Sequence, residues 1–290
     1  MSKITIFGGS GFLGSYVADE LTSRGHEVLV ADIRPSKYLK KKQRFLACDI
    51  MEPDSFKSDV IGSSIVYNFA GFADLDEALA YPRETIEQNI LGNLNILESC
   101  KSMKIKRFVY ASSAYALSKK GGIYGVSKLA SEKIVEHYSH THGVPYTVIR
   151  YGSLYGERAN PSNWVFKMLK DALVQGKMCH QGDGEEVREY IHASDAAVLS
   201  ADIIESNEFL NSYAILTGSE KTRQKDVLRM IQEIMDRNVT ISYNNSKRES
   251  HYDVTPYSYQ PNSAKKLVLN SYIDLGQGIV GCLKHLDQES

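Results

Sequence analysis

Apolar residues in this chain fall into short runs separated by longer stretches with helical spacing. Residues 3–7 make a compact β-type run that stops at Gly8, and 12–23 repeat apolar positions at helical intervals until Gly25. The run at 27–32 completes a β-α-β unit. The alternation continues through strands at 44–48 and 64–70, a long helix at 84–103, a strand at 107–111, a helix over 124–140 and a strand at 146–150. Strands this continuously apolar, alternating with helices, predict an α/β fold whose parallel sheet is covered on both faces. Beyond residue 150 the rhythm changes to Gly-, Asn- and Pro-rich loops at 152–161, helices at 163–175 and 225–237, and a stretch at 244–262 dense in Asn, Ser, Tyr and Pro. The pattern divides the chain into a first domain over 1–153 and a smaller lobe over 154–290, with a segment near 185–205 returning to the first domain. The 244–262 stretch is either a substrate-side loop or a surface excursion, and internal repeats are absent from the sequence.

Composition changes this picture mainly by exclusion. The 290 residues are 42% hydrophobic and 24% charged, ordinary for a globular enzyme with a large buried interior. A formal net charge of -1 gives no reason to expect nucleic acid or a membrane as partner, although an anionic small ligand needs only a local cluster. Cys48, Cys100, Cys179 and Cys282 are scattered, with no CxxC and no nearby His pairing. Neither a disulfide framework nor a metal site is indicated, and the thiols read as reduced, in a cytoplasmic protein. The N-terminus starts directly on a strand and a glycine turn, without the features of a signal peptide, and no apolar run approaches membrane-spanning length.

Gly8-Gly9-Ser10-Gly11-Phe12-Leu13-Gly14 follows a strand and opens a helix, the setting in which a glycine-rich turn binds a dinucleotide. Gly8, Gly11 and Gly14 permit a tight turn and close backbone approach, while the amides at the helix start, around Phe12 and Leu13, favour a pyrophosphate. Asp32, with Ile33 beside it, ends the second strand, where a carboxylate can accept both ribose hydroxyls of an adenosine. Its charge repels a 2′-phosphate and so favours NAD over NADP, while Arg34 can bind such a phosphate or stack on adenine. Tyr124 and Lys128 stand four residues apart at the start of a helical pattern, so a phenol and an ammonium share one helix face. That spacing also arises by chance in solvated helices. The serine pair Ser112-Ser113, closing the fifth strand shortly before Tyr124, gives it weight, because ligands bind at the carboxyl ends of strands in such sheets.

The glycine spacing resembles the extended short-chain dehydrogenase/reductases, and nearly the whole chain looks like their NAD-dependent epimerase/dehydratase group, which acts on nucleotide sugars. The resemblance implies a Rossmann-type, doubly wound parallel sheet with a smaller C-terminal substrate-binding lobe. It assigns Asp49-Ile50 to the adenine, Phe69-Ala70-Gly71 after the fourth strand to the cofactor, and Asn89 to a helix motif in which Asn93 replaces the usual threonine. Tyr151 and Ser153 fall in a segment that contacts cofactor and substrate in the family, Ser153 standing where an asparagine is usual. Tyr124 would be the acid/base, Lys128 would supply charge and hold the nicotinamide ribose, and Ser113 would bond the reacting oxygen. A phenol with a pKa near ~10 needs positive charge nearby to act as a base at neutral pH. Gly182 to His192 matches the family segment whose arginine binds the substrate diphosphate, a role that falls to Arg188 unless Glu186 or Glu189 holds it in a surface salt bridge. Arg248 is a looser candidate for a second phosphate arginine, and His192 reads as a turn cap.

One absence narrows the reaction. Dehydratases of the family carry an Asp-Glu pair after the serine or threonine, where this chain has Ala114 and Tyr115. The resemblance therefore implies a nucleotide-sugar 4-epimerase working through a transient 4-keto sugar, with a 4-reductase or dehydrogenase as the alternative. Two readings of other classes remain: a non-catalytic dinucleotide-binding redox sensor, and a reductase of a carbonyl compound without a nucleotide. A homodimer paired through the helices at 84–103 and 124–140 is the family expectation.

Overall fold

The computed structural model describes residues 1–235, 238–244, 251–254 and 264–289. In chain order it begins with β1 (Lys3–Phe7), α1 (Phe12–Ser23), β2 (Glu27–Asp32), β3 (Arg44–Ala47) and β4 (Ile65–Asn68). There follow α2 (Leu75–Ala80), α3 (Pro82–Ile86), a π-helical turn (Glu87–Gly92), α4 (Asn93–Lys101), β5 (Arg107–Ser113), α5 (Gly122–His142) and β6 (Tyr146–Tyr151). The second half contains β7 (Ser153–Tyr155), α6 (Trp164–Gln175), β8 (Lys177–Gln181), β9 (Val187–Arg188), β10 (Tyr190–His192) and α7 (Ala193–Glu205). It ends with β11 (Ser212–Leu216), β12 (Thr222–Arg223), α8 (Gln224–Ile234), β13 (Thr240–Asn244), β14 (Ala264–Leu267) and α9 (Leu275–Glu289).

Eight strands form one sheet in the order β14-β11-β6-β5-β4-β1-β2-β3, every neighbouring pair parallel. The chain steps outward from β1 to β3 and then returns to β4 on the other side of β1. The strand ends diverge there, and a crevice opens at their carboxyl edge. Alternation along the strands supplies both faces. Ile4, Ile6, Val28, Val30 and Tyr67 pack under α1 and α7, whereas Phe7, Val66, Phe108, Tyr110 and Val148 pack under α4 and α5. Small residues on α7, among them Ala196, Ala197 and Ala201, let it lie close to Val17, Ala18 and Leu21 of α1. α7, β11 and β14 thus complete the sheet layers from beyond residue 153, while α6, α8 and α9 share a separate core of Leu169, Val227, Leu228, Ile231 and Ile279.

Three helices differ from the sequence expectation. The helix expected over 84–103 is interrupted by the π turn, where Gly92 lies so close to Ile50 that an added Cβ would sit 2.5 Å from its Cδ1. The helix expected from Tyr124 starts two residues earlier, because Gly121 and Gly122 adopt positive φ angles of 103° and 50° and turn the chain in. The helix expected over 225–237 runs from Gln224 to Ile234, residue 237 lying outside the described residues. Among the described residues no helix is long and apolar enough to cross a membrane.

Arg107, buried at the start of β5, donates to the carbonyls of Ile203 and Ser206 and so satisfies the C-terminal end of α7. Arg107→Met keeps an apolar stem but removes the donors. It is expected to lower the free energy of unfolding by about 1.5–3 kcal/mol in urea titration, and an unchanged midpoint would mean that these carbonyls are satisfied by water instead.

Candidate active site

The crevice between β1 and β4 gathers residues far apart in sequence. Gly8, Gly11, Asp32, Ile33, Asp49, Ile50, Phe69, Ala70 and Gly71 all line it, joined by Cys48 and Gln88, which sequence reasoning had not singled out. Gly8 and Gly14 are required by close approach. A Cβ on Gly8 would fall 2.5 Å from the Ala70 amide nitrogen, and one on Gly14 would fall 2.2 Å from the Gly8 carbonyl oxygen. α1 opens at Gly11 with no side-chain cap and no acidic residue in its first turn, so the amides of Phe12 and Leu13 present an uncapped positive helix end to the crevice. The Leu13 side chain itself is in the core. Asp32 accepts from the amides of Ser10 and Ile33 at 3.0 and 2.8 Å, which ties the glycine turn to the end of β2. Burial raises its pKa, against those amides, which lower it. Ile33 projects an exposed apolar side chain at the rim, and Arg34 is exposed just beyond.

This crevice fits a dinucleotide. Asn89 supports the fit: it donates to Ser127 Oγ and Phe72 O, and its buried Oδ1 has no partner among the described residues. That oxygen faces Gly71, whose positive φ of 126° and missing Cβ leave it room. Asn93 has a partner of its own, accepting from Asn68 Nδ2 while Asn68 Oδ1 accepts from the Ala70 amide. Tyr151 lies between the core and the crevice wall. Its hydroxyl pairs with Ser200 Oγ of α7 at 2.7 Å, inside the core, and its ring is 6.1 Å from that of Phe69, which lines the crevice. Strand alternation turns Arg150 toward α5 and Tyr151 toward α7.

Ser113, Tyr124 and Lys128 meet where β5 ends against α5. All three are buried. Burial pushes the Tyr124 phenol up to about 12, opposed by a hydrogen bond with Ser113 that lowers it. Burial likewise brings the Lys128 ammonium down to about 8, opposed by the charge of Glu132. Lys128 Nζ donates to the Ala111 carbonyl at 3.0 Å and lies 5.9 Å from the centre of the Tyr124 ring. Glu132, one turn further along α5 and fully buried, was not found from sequence. It accepts from Ser112 Oγ at 2.6 Å and from both Nε and Nη2 of Arg150 at 2.8 and 2.7 Å. The available signal was the repeated four-residue spacing of Tyr124, Lys128 and Glu132.

On the far side of Tyr124 lie Tyr115, Tyr252 and Arg188. The Tyr115 ring is 6.1 Å from that of Tyr124 and 4.5 Å from that of Tyr252, and the Arg188 guanidinium lies 4.2 Å from the Tyr252 ring centre. Ser153 Oγ is 3.5 Å from the Tyr252 hydroxyl. Neither acidic neighbour pairs with Arg188: Glu186 meets His180 at 3.2 Å and Glu189 meets Lys266 at 2.9 Å. His192 caps α7 through Nδ1. Arg248 lies outside the described residues.

A doubly wound sheet with a glycine cradle at its switch point defines the class of dinucleotide-binding α/β enzymes. Within it, the profile of the NAD dependent epimerase/dehydratase family matches residues 4–215, and the chain belongs to that family of enzymes. A putative UDP-glucose 4-epimerase of Methanocaldococcus jannaschii is 28% identical over 243 residues, covering 75% of this chain and 77% of the relative. Two solved structures share the fold at 21% identity. UDP-glucose 4-epimerase of Thermotoga maritima with UDP-glucose superposes with a TM-score of 0.86 over 99% of each chain. That of Thermus thermophilus in complex with NAD gives 0.84 over 99% of this chain and 100% of the other.

The lowered Lys128 pKa has a definite sign. Between about pH 8 and the ordinary lysine value the unfolded chain holds this proton more tightly, so the Lys128 contribution to stability rises with pH across that window. In the cofactor-free protein, carbon-detected NMR of the lysine ε-methylene is expected to show one residue titrating near 8. Glu132→Gln removes the charge that raises it and should move that midpoint lower; a midpoint that moved up would contradict the electrostatic account.

Proposed function

We propose that this protein is an NAD-dependent oxidoreductase of nucleotide-diphospho-sugars, acting as a 4-epimerase through a transient 4-keto sugar. The observation that carries the proposal is Arg188. Its guanidinium is buried, has no carboxylate partner among the described residues, and is linked to Tyr124 through the rings of Tyr252 and Tyr115, which meet at a tilt and edge-on. A buried cation without a counter-charge favours an anionic ligand, and a diphosphate suits the guanidinium fork.

NAD, when bound, supplies the acceptor and donor of hydride. Gly8, Gly11, Gly14 and the amides of Phe12 and Leu13 would hold its pyrophosphate, Asp32 the adenosine ribose, and Asp49 and Ile50 the adenine. A carboxylate at position 32 disfavours the 2′-phosphate of NADP. Tyr124 takes the proton of the sugar hydroxyl and later returns it, Ser113 fixes the oxygen, and Lys128 provides positive charge beside the phenol. Ala114 and Tyr115 leave the site without the carboxylate pair that would expel water, which favours chemistry confined to one carbon. The scattered thiols support a cytoplasmic setting, and the lobe beyond residue 153 supplies the substrate side.

Incubation of NAD-loaded protein with UDP-, dTDP-, GDP- and CDP-sugars, following absorbance and product mass together, tests the reading. Isomerisation without net absorbance change is expected; stoichiometric cofactor consumption would instead indicate a reductase or dehydrogenase, and no hydride transfer with any sugar would favour a sensor. Tyr124→Phe should lower turnover roughly 10²–10⁴-fold with cofactor still bound, and full turnover in that variant would remove Tyr124 from the chemistry.

A homodimer is proposed on the face carrying α3, the π turn and α5. Ile86, Leu91, Val126 and Leu129 expose 40%, 44%, 60% and 40% of their surface there, and a two-fold contact would bury them together. Light scattering should report a dimer that Leu129→Glu converts to monomer; a monomeric parent protein would rule the assembly out.

A further inference from the structure

Arg188 is 5% exposed, yet its contacts occupy only part of the guanidinium. Nη1 donates to the Val187 carbonyl at 3.0 Å and lies 3.5 Å from that of Asp253. Nε and Nη2 have no hydrogen-bond partner among the described residues. One face of the group is covered by Tyr252, itself 6% exposed, at 4.2 Å.

Tyr252 belongs to a short strap, residues 251–254, that is fastened at several points. The Val187 amide donates to the Asp253 carbonyl at 2.8 Å, Val187 and Val254 form a parallel bridge, and Lys120 Nζ meets Asp253 Oδ2 at 3.0 Å. The Tyr252 ring also meets the Tyr115 ring, centres 4.5 Å apart and planes tilted by 39°. The ring is therefore held both by Tyr115 and by the strap.

Stacking on a ring uses the face of a guanidinium and leaves its edge for in-plane hydrogen bonds. With Nη1 bound to backbone, the remaining edge, Nε and Nη2, is the pair of parallel donors that matches two phosphate oxygens. We propose that Tyr252 is a positioning residue for substrate binding: it fixes the plane of Arg188 so that the Nε–Nη2 edge meets the diphosphate. The inference rests on the nucleotide-sugar reading above. It assigns the strap around residue 252 to the substrate side, and it makes ring shape the property that matters. The Tyr252 hydroxyl is 3.5 Å from Ser153 Oγ, at the limit of a hydrogen bond, and is of secondary importance.

The experiment is calorimetric titration of UDP, with uridine as the phosphate-free control, into full-length NAD-loaded protein. Tyr252→Leu is expected to weaken UDP binding about three- to thirtyfold, with uridine binding unchanged, and Tyr252→Phe should restore UDP affinity to within about twofold of the parent. In an Arg188→Met background, adding Tyr252→Leu should change UDP affinity less than about twofold, because the ring acts through the guanidinium. Stronger UDP binding by Tyr252→Leu would mean that the ring covers Arg188 instead of presenting it, and equal losses in both backgrounds would mean a general packing role; either overturns the proposal. If UDP binds the parent and Tyr252→Leu alike, the positioning role fails while the nucleotide-sugar reading stands. If neither UDP nor GDP, dTDP or CDP binds any of these proteins, both fail.

Discussion

The geometry of the candidate site depends on one buried carboxylate. Glu132 projects from α5 and accepts at once from Ser112 at the end of β5 and from Arg150 on β6, two residues that are direct neighbours across the strand pair. Such a pair adds little net stability, since removing both charges from water costs about as much as their attraction returns. Its effect is on register. Sliding or rotating α5 would strand the carboxylate, a change that costs roughly 3–5 kcal/mol when one partner of a buried pair is lost. Lys128 and Tyr124 sit one and two turns upstream on the same helix face, so the constraint on Glu132 is also a constraint on them. A turn downstream, Glu136 accepts from the Tyr213 hydroxyl of β11 at 2.7 Å and extends the anchorage to a third strand.

The burial that fixes these groups also works against their charged forms. Tyr124 is pushed up and Lys128 down, each toward neutrality, with desolvation the largest cause in both. The protein alone therefore keeps the proton on the phenol at neutral pH and leaves the lysine charge within reach of modest influences. Two such influences are built into the site, Ser113 lowering the phenol and Glu132 raising the ammonium. A site so balanced responds to added positive charge, which oxidised nicotinamide carries. In the proposed mechanism, a cofactor bound in the crevice would therefore act on Tyr124 and Lys128 through its charge.

Much of the fold was readable because its signals are local. Runs of apolar residues, a glycine turn between strand and helix, and an acid at the next strand end all announce themselves within a few residues, and the crevice gathers Gly8 and Asp32 from that pattern with Ile50 and Ala70, which the family resemblance supplied. The π turn at Glu87–Gly92 was not readable; within it Gly92 lies against Ile50, a tertiary contact that no local pattern announces. Asn93 looked like a departure from the family motif until Asn68, 25 residues away, supplied its partner. The Tyr115–Tyr252 contact spans nearly half of the chain with no periodicity to betray it.

Tyr115 also shows how the wall of the site is built to hold a ring where the resemblance implies a carboxylate in dehydratases of the family. Gly121 and Gly125 flank it, and a Cβ on either would fall within 3 Å of Tyr115, at 2.8 Å from its Cδ1 and 2.9 Å from its carbonyl oxygen. The backbone near the start of α5 is thus shaped around this residue, and Gly125 lies inside the Tyr124–Lys128 segment itself. Packed on one side by that helix and on the other by Tyr252, the ring presents an apolar surface beside the phenol of Tyr124. Such a surface excludes water, and a phenol held by a packed ring is a poor substitute for a carboxylate pair that must donate one proton and accept another. The same contacts that carry the strap toward Arg188 therefore also limit the chemistry next to Tyr124, which is why the proposed reaction stays at a single sugar carbon.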